Sequence, residues 1–345
     1  MTSNLTQNLR IICKISLWGR WWSAWGTLPV WSWIFAARSF RDGDFRTAAA
    51  NYERGLSKYP NHVAAESARF DYSYCLYRLG EHHKAADELA ILTDKGSSIA
   101  ESYLLRSEIL MTIGRAAEAV FILQKARKRF PKHARIAVCL MFALIEAGES
   151  SEEILELRDG LLAHRAAASL DDPIVGHINT AIASFELNYG TPSIGERLLA
   201  RVIASGSCSV EAVVIRASWL LRTGNFAQAR RLAARAVEAA PRQPLAYSVL
   251  ATSLLAIGSP SDKRWALQLA QTACKLSAWE NAKYLEVLER AYRAVGEADA
   301  ADLIAERGRA ISFRQQLVVE NIDNIETEVS RLQSLEFIPP REELM

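Results

Sequence analysis

The sequence has little of what marks catalysis, metal binding or membrane spanning. Its 345 residues include five scattered cysteines (Cys13, Cys75, Cys139, Cys208 and Cys274), with no Cys-x-x-Cys pair and no histidine at zinc spacing. Disulfide frameworks and paired-ligand zinc sites are therefore not indicated, and Cys75 and Cys139 read as small buried hydrophobes in a reducing compartment. No Gly-x-x-x-x-Gly-Lys-Ser/Thr, Gly-x-Gly-x-x-Gly, His-Glu-x-x-His or Gly-x-Ser-x-Gly occurs. Phosphate loops, zinc proteases and serine hydrolases thus lack their signatures. Net charge is small, formally +2, and gives no general reason to expect nucleic acid. The uncharged run from Trp21 to Ala37 contains Gly26, Pro29 and five tryptophans, a poor composition for a spanning helix.

What the chain does have is a beat. Gly43, Gly80, Gly114, Gly148, Gly190, Gly224, Gly258 and Gly296 recur at intervals of 34 residues or slightly more. Such a period means stacked supersecondary units, each too small to bury its apolar face alone. In the sixth unit, Leu220 to Phe226 leads into Ala229, Ala233 and Ala236 and ends at Pro241. A glycine past the last turn closes one helix, the alanines let a second helix approach closely, and the proline stops it. The first unit repeats the scheme with Gly43, Phe45, Ala48, Tyr52 and Pro60, and the third with Gly114, Ala119, Leu123, Ala126 and Pro131.

With these residues the chain resembles the tetratricopeptide repeat family over roughly residues 29–311. The resemblance implies an all-α, right-handed superhelical solenoid of about eight helix–turn–helix units. Local departures are Glu153 and Gly160 in the fourth unit, Pro192 and Gly195 in the fifth, and Ser259 to Asp262 in the seventh. Residues 163–172 read as an insertion. The expected organisation is an N-terminal arm (1–28), units one to four (29–165), units five to eight (173–311), a capping helix (312–336) and a tail (337–345).

The arm is unusual. The first 41 residues contain Arg10, Lys14, Arg20, Arg38 and Arg41 and no acidic residue, and Ile11, Ile15, Trp18, Trp22 and Trp25 share one face if helical. Tryptophan beside basic residues suits a membrane–water interface. Lys14, Trp18, Arg20, Trp21, Trp22 and Trp25 are accordingly the candidate membrane- or partner-contacting residues. A cap on the open end of the stack competes with that reading. At the other end, Val318, Ile322, Ile325, Val329 and Leu332 form a narrow apolar seam among acidic residues. It suits a last helix packed on the eighth unit, or self-association through 318–332.

No catalytic, metal or cofactor set emerges. His82 and His83 are adjacent and point apart, and the basic run Lys125 to Lys132 reads as the solvated end of a helix. In the family resembled, the concave groove is lined mainly by the first helix of each unit. Phasing on the glycines puts Trp33 and Ala37, Phe70 and Tyr74, Leu104 and Glu108, and Val138 and Phe142 there in units one to four. Thr180 and Ser184, Val214 and Ser218, Ser248 and Thr252, and Glu286 and Arg290 follow, with Tyr77 nearby and Arg41 and Arg78 near the edge. Members that hold chaperone C-termini use lysine and asparagine at such positions, and neither occurs here. The expected partner-binding residues are Trp33, Phe70, Tyr74, Tyr77, Phe142, Arg41 and Arg78.

The sequence thus points to a non-catalytic adaptor without cofactor or metal. Its expected place is cytoplasmic, peripheral at the inner face of a membrane, at an anionic membrane surface or on a membrane-embedded complex, with a membrane protein or an enzyme as its protein partner. The competing reading is a soluble regulatory subunit that controls an enzyme through its groove.

Overall fold

Where each first helix must stop sets the architecture. At Gly80 the chain enters the left-handed region (φ 87°), and its N–H donates to the carbonyls of Leu76 and Tyr77. A side chain there would be strained, so the glycine fixes the turn. Gly43, Gly114, Gly148, Gly224, Gly258 and Gly296 share the positive φ. Gly190 does not. Tyr189 closes that helix, and a β-carbon on Gly190 would crowd Glu186, 2.3 Å from Oε2. A larger residue here would displace the Glu186 carboxylate, which otherwise accepts from the Thr191 N–H.

A computed structural model describes residues 31–148, 152–169, 172–205 and 210–320. Among them are sixteen helices and no strand. They are α1 (Trp31–Asp42), α2 (Phe45–Lys58), α3 (Ala65–Leu79), α4 (His82–Asp94), α5 (Ala100–Thr112), α6 (Ala116–Arg129), α7 (Ala134–Ala147) and α8 (Glu152–Ala167). Then follow α9 (Pro173–Asn188), α10 (Pro192–Ala204), α11 (Val210–Arg222), α12 (Phe226–Ala239), α13 (Pro244–Ile257), α14 (Pro260–Leu276), α15 (Ala282–Val295) and α16 (Ala298–Glu320). Each odd-numbered helix and its even-numbered successor make one unit, and the glycines lie between them. Pro60, Pro131 and Pro241 stand just past α2, α6 and α12.

Among the described residues, contacts define two compact units: those within 31–112, 118–213 and 238–241, and the remainder. In the first, Trp33, Ala48, Tyr52, Leu76, Ala85, Leu89 and Ile109 belong to one continuous buried cluster. The small residues expected at helix contacts are there: Ala48, Ala119 and Ala126 have no exposed surface. The fourth repeat departs because Glu153 is only half-buried and Gly160 exposed; Ile154, Leu157 and Leu161 seal α8 instead. In the fifth repeat Gly195 is buried, with the Ala183 carbonyl 2.8 Å from where its β-carbon would lie, so it serves as the small contact residue.

In the second compact unit, Ala229, Ala233 and Ala236 are buried on one face of α12. Ala266, Ala270 and Ala273 repeat the pattern on α14. Ser259 caps α14 by accepting from the Asp262 N–H, with Pro260 in the first turn, so the extra turn residues begin a helix. Helix α16 continues unbroken through residue 311, where a separate capping helix is expected from the sequence. Residues 321–345, which hold most of the acidic seam, lie outside the described residues, as does the arm of residues 1–28.

Candidate partner-binding face

The paired positions on the odd-numbered helices behave in two ways. The second member is reachable by solvent in most repeats: Ala37, Tyr74, Phe142, Ser218 and Thr252 are half-buried, and Glu108 and Arg290 are exposed. The first member is mostly core, as at Val138, Thr180, Val214 and Ser248. Trp33 and Phe70 must be corrected on this ground, because they are 1% and 7% exposed and do not line an open face. Trp33 lies edge-on to His62, centroids 5.2 Å apart, and fills the space above Gly55. Both rings are held in the continuous cluster of the first repeats, where helix–helix contact claims that side of α1 and α3.

The other named residues stand at the surface of the first compact unit. Tyr74, Tyr77, Arg78 and Phe142 are half-buried and Arg41 is exposed. Tyr74 is the hub of a ring cluster, 5.5 Å from Phe40, 6.1 Å from Phe45 and 6.4 Å from Tyr77 between centroids. Arg78 covers it: the guanidinium lies 4.5 Å from the Phe45 centroid and Nη1 donates to Tyr74 Oη at 3.1 Å. Rings held this way present apolar area with little rotamer freedom left to lose, which favours binding.

Glu108 continues this surface on α5, where Oε1 accepts a 2.8 Å hydrogen bond from Tyr77 Oη. Water reaches its side chain, yet desolvation is the largest cause holding its carboxyl above the usual range. The Tyr77 hydrogen bond and Arg135 oppose the shift, and Glu211 adds to it through like charge. Glu211 also approaches His177, Oε2 to Nδ1 3.6 Å. Arg135, His177 and Glu211 were absent from the sequence-derived set although a signal existed. They occupy equivalent register positions about two helical turns before Phe142, Ser184 and Ser218.

Chemistry elsewhere is muted. Burial pushes the thiols of Cys139 and Cys274 up to about 12, and that of Cys75 higher, so all three stay protonated at neutral pH. His82 is buried, 5.7 Å from the Tyr77 ring, while His83 is exposed. No group of three His, Cys, Asp or Glu suited to a metal occurs among the described residues. Within the basic run, Lys125 approaches Asp94 at 3.8 Å, Arg127 approaches Glu153 at 3.9 Å, and Arg129 Nε donates to the Ser97 carbonyl at 2.9 Å. No described helix is long and apolar enough to cross a membrane.

A family model described as tetratricopeptide repeat matches residues 38–98, 76–134 and 216–278. The chain is a tetratricopeptide repeat protein. Among solved structures it is similar to a tetratricopeptide repeat protein from Parabacteroides merdae, with 12% identity over 88% of this chain and 97% of that one, TM-score 0.38. It is also similar to the human IFIT1 dimer with m7Gppp-AAAA, with 13% identity over 79% of this chain and 66% of that one, TM-score 0.51. A monomeric IFIT1 mutant with Gppp-AAAA gives 13% identity over 90% and 78%, TM-score 0.50. No curated protein matches. At these identities the IFIT1 likeness shows the fold alone, while the tetratricopeptide repeats themselves suggest a protein-interaction scaffold.

Proposed function

We propose that this tetratricopeptide repeat protein is a non-catalytic adaptor that holds a protein partner on the face of its odd-numbered helices. The observation that carries the reading is the set of half-buried rings on this face, Tyr74 and Tyr77 held against each other on α3 and Phe142 two repeats on, on α7. Aromatic anchors fixed before binding tend to dominate interface energy. Protonated thiols and the absence of catalytic signatures in the sequence support a holding role over a chemical one. The RNA in the IFIT1 complexes belongs to those proteins; the fold alone does not bring it here.

The finer proposal concerns place. The arm's tryptophans and its acid-free basic composition support peripheral contact with an anionic membrane surface on the cytoplasmic side. Cell fractionation of the full chain and of a chain lacking residues 1–28 tests it. Loss of the membrane-bound fraction on deletion is the expected result, and an unchanged distribution removes the membrane part while leaving the adaptor.

A further inference from the structure

Glu108 stands exposed among the half-buried rings of this face and is hydrogen-bonded to one of them, Tyr77. Glu108 occupies the register position between Tyr74 and Phe142, at a 34-residue interval from each. Tyr77 Oη fixes one of its oxygens at 2.8 Å. Glu211, carried by α11, acts on the same carboxyl with like charge, and Arg135 on α7 with opposite charge. His177 stands beside Glu211 at 3.6 Å as an imidazole, a full cation only when protonated.

A carboxylate that is partly desolvated, beside aromatic surface and repelled by a second carboxylate, gains more from an incoming cation than from a neutral or anionic group. Ring faces add attraction of the same sign. We propose that this stretch of the face takes a lysine or arginine side chain from an extended segment of the partner. Glu108 is its acceptor, Glu211 the second anion, and the rings of Tyr77 and Phe142 the apolar walls. The proposal rests on the reading that the face binds protein, and it narrows that reading to a partner that is basic at the contact. It is opposite in sign to a grip on a C-terminal carboxylate, for which the sixteen paired positions supply no lysine or asparagine.

The test uses the full chain and fluorescein-labelled peptides Gly-Ser-Leu-Ala-X-Ala-Leu-Ser-Gly, with X lysine, arginine, norleucine or glutamate, followed by anisotropy. The lysine and arginine peptides should bind about tenfold more tightly than the norleucine peptide, with the glutamate peptide weakest. Glu108→Gln combined with Glu211→Gln keeps the shapes and should collapse that preference to about twofold or less. Phe142→Ala should weaken all four peptides alike. Equal affinity for lysine, norleucine and glutamate peptides, with Phe142→Ala still weakening them, overturns the cation proposal and leaves the binding face standing. Failure of every peptide to bind a chain of normal helical content overturns both.

Discussion

Tyr52 on α2 donates a 3.0 Å hydrogen bond to Asp71 on α3 inside the core, where the two residues are 2% and 5% exposed. This pairing ties the second helix of the first repeat to the first helix of the next. It also places a carboxyl where ionisation is costly. Burial raises the Asp71 pKa from 3.8 to about 7, with the Tyr52 bond opposing the shift.

That shift has a sign. The folded state keeps a proton on Asp71 that the unfolded state releases near its ordinary value, so the native form binds more protons between about pH 4 and pH 7. The Asp71 contribution to stability is therefore lost as pH rises through that window and is level above it. Asp71→Asn, which cannot ionise and still accepts from Tyr52, should be more stable than the native chain at pH 8 by about 1–3 kcal/mol. The two should converge near pH 4. Urea unfolding at both values measures the difference, and a gap that does not change with pH contradicts the account.

Core and surface aromatics on one helix should separate cleanly. Phe70→Ala removes a buried ring and should cost about 3–5 kcal/mol of stability. Tyr74→Ala combined with Phe142→Ala should cost less stability and weaken partner binding by about 2–4 kcal/mol. Denaturant unfolding beside binding titration gives both numbers for each variant. Equal stability losses with unchanged affinity would make all three rings packing.

Gly55 tests the correction at Trp33. A β-carbon there would lie 2.1 Å from Trp33 Nε1, on a ring with no room to retreat at 1% exposure. Gly55→Ala ordinarily favours a helix, but here overpacking should win and destabilise by about 1–3 kcal/mol. Thermal unfolding decides the sign. A gain in stability would mean that Trp33 is loosely held.

These cases show how far the sequence carried. Gly80, Ala48, Ala119 and Ala229 announce the repeats because turn sterics and close helix approach act locally, within one unit. Trp33 and Phe70 could not be told from Tyr74 in the same way. Positions four apart on a helix point only about 40° apart, so a small rotation within the stack decides which ring stays outside. The Glu108–Glu211 relationship is further removed still. It depends on the rotation between successive repeats, and no periodicity along the chain contains that angle.

The arm makes its own prediction from its composition. Binding to liposomes should rise with anionic lipid and fall with salt, since each basic residue near the surface contributes about 1 kcal/mol and is screened over about 8 Å at physiological ionic strength. Replacing Lys14 and Arg20 by glutamine should weaken it, and replacing Trp18, Trp22 and Trp25 by alanine should nearly abolish it. Sedimentation with vesicles reads this directly. A full chain that ignores anionic vesicles while residues 1–28 resist protease without lipid would make the arm a cap.

The central claim is that the odd-numbered helices present the binding face. A photocrosslinking phenylalanine analogue placed in intact cells at Tyr74, at Phe142, or at Phe121, which is 66% exposed on the even-numbered helix α6, addresses it most directly. The account predicts the same crosslinked protein from positions 74 and 142 and none from 121. A shared partner captured from 121 and from neither of the other two would contradict it.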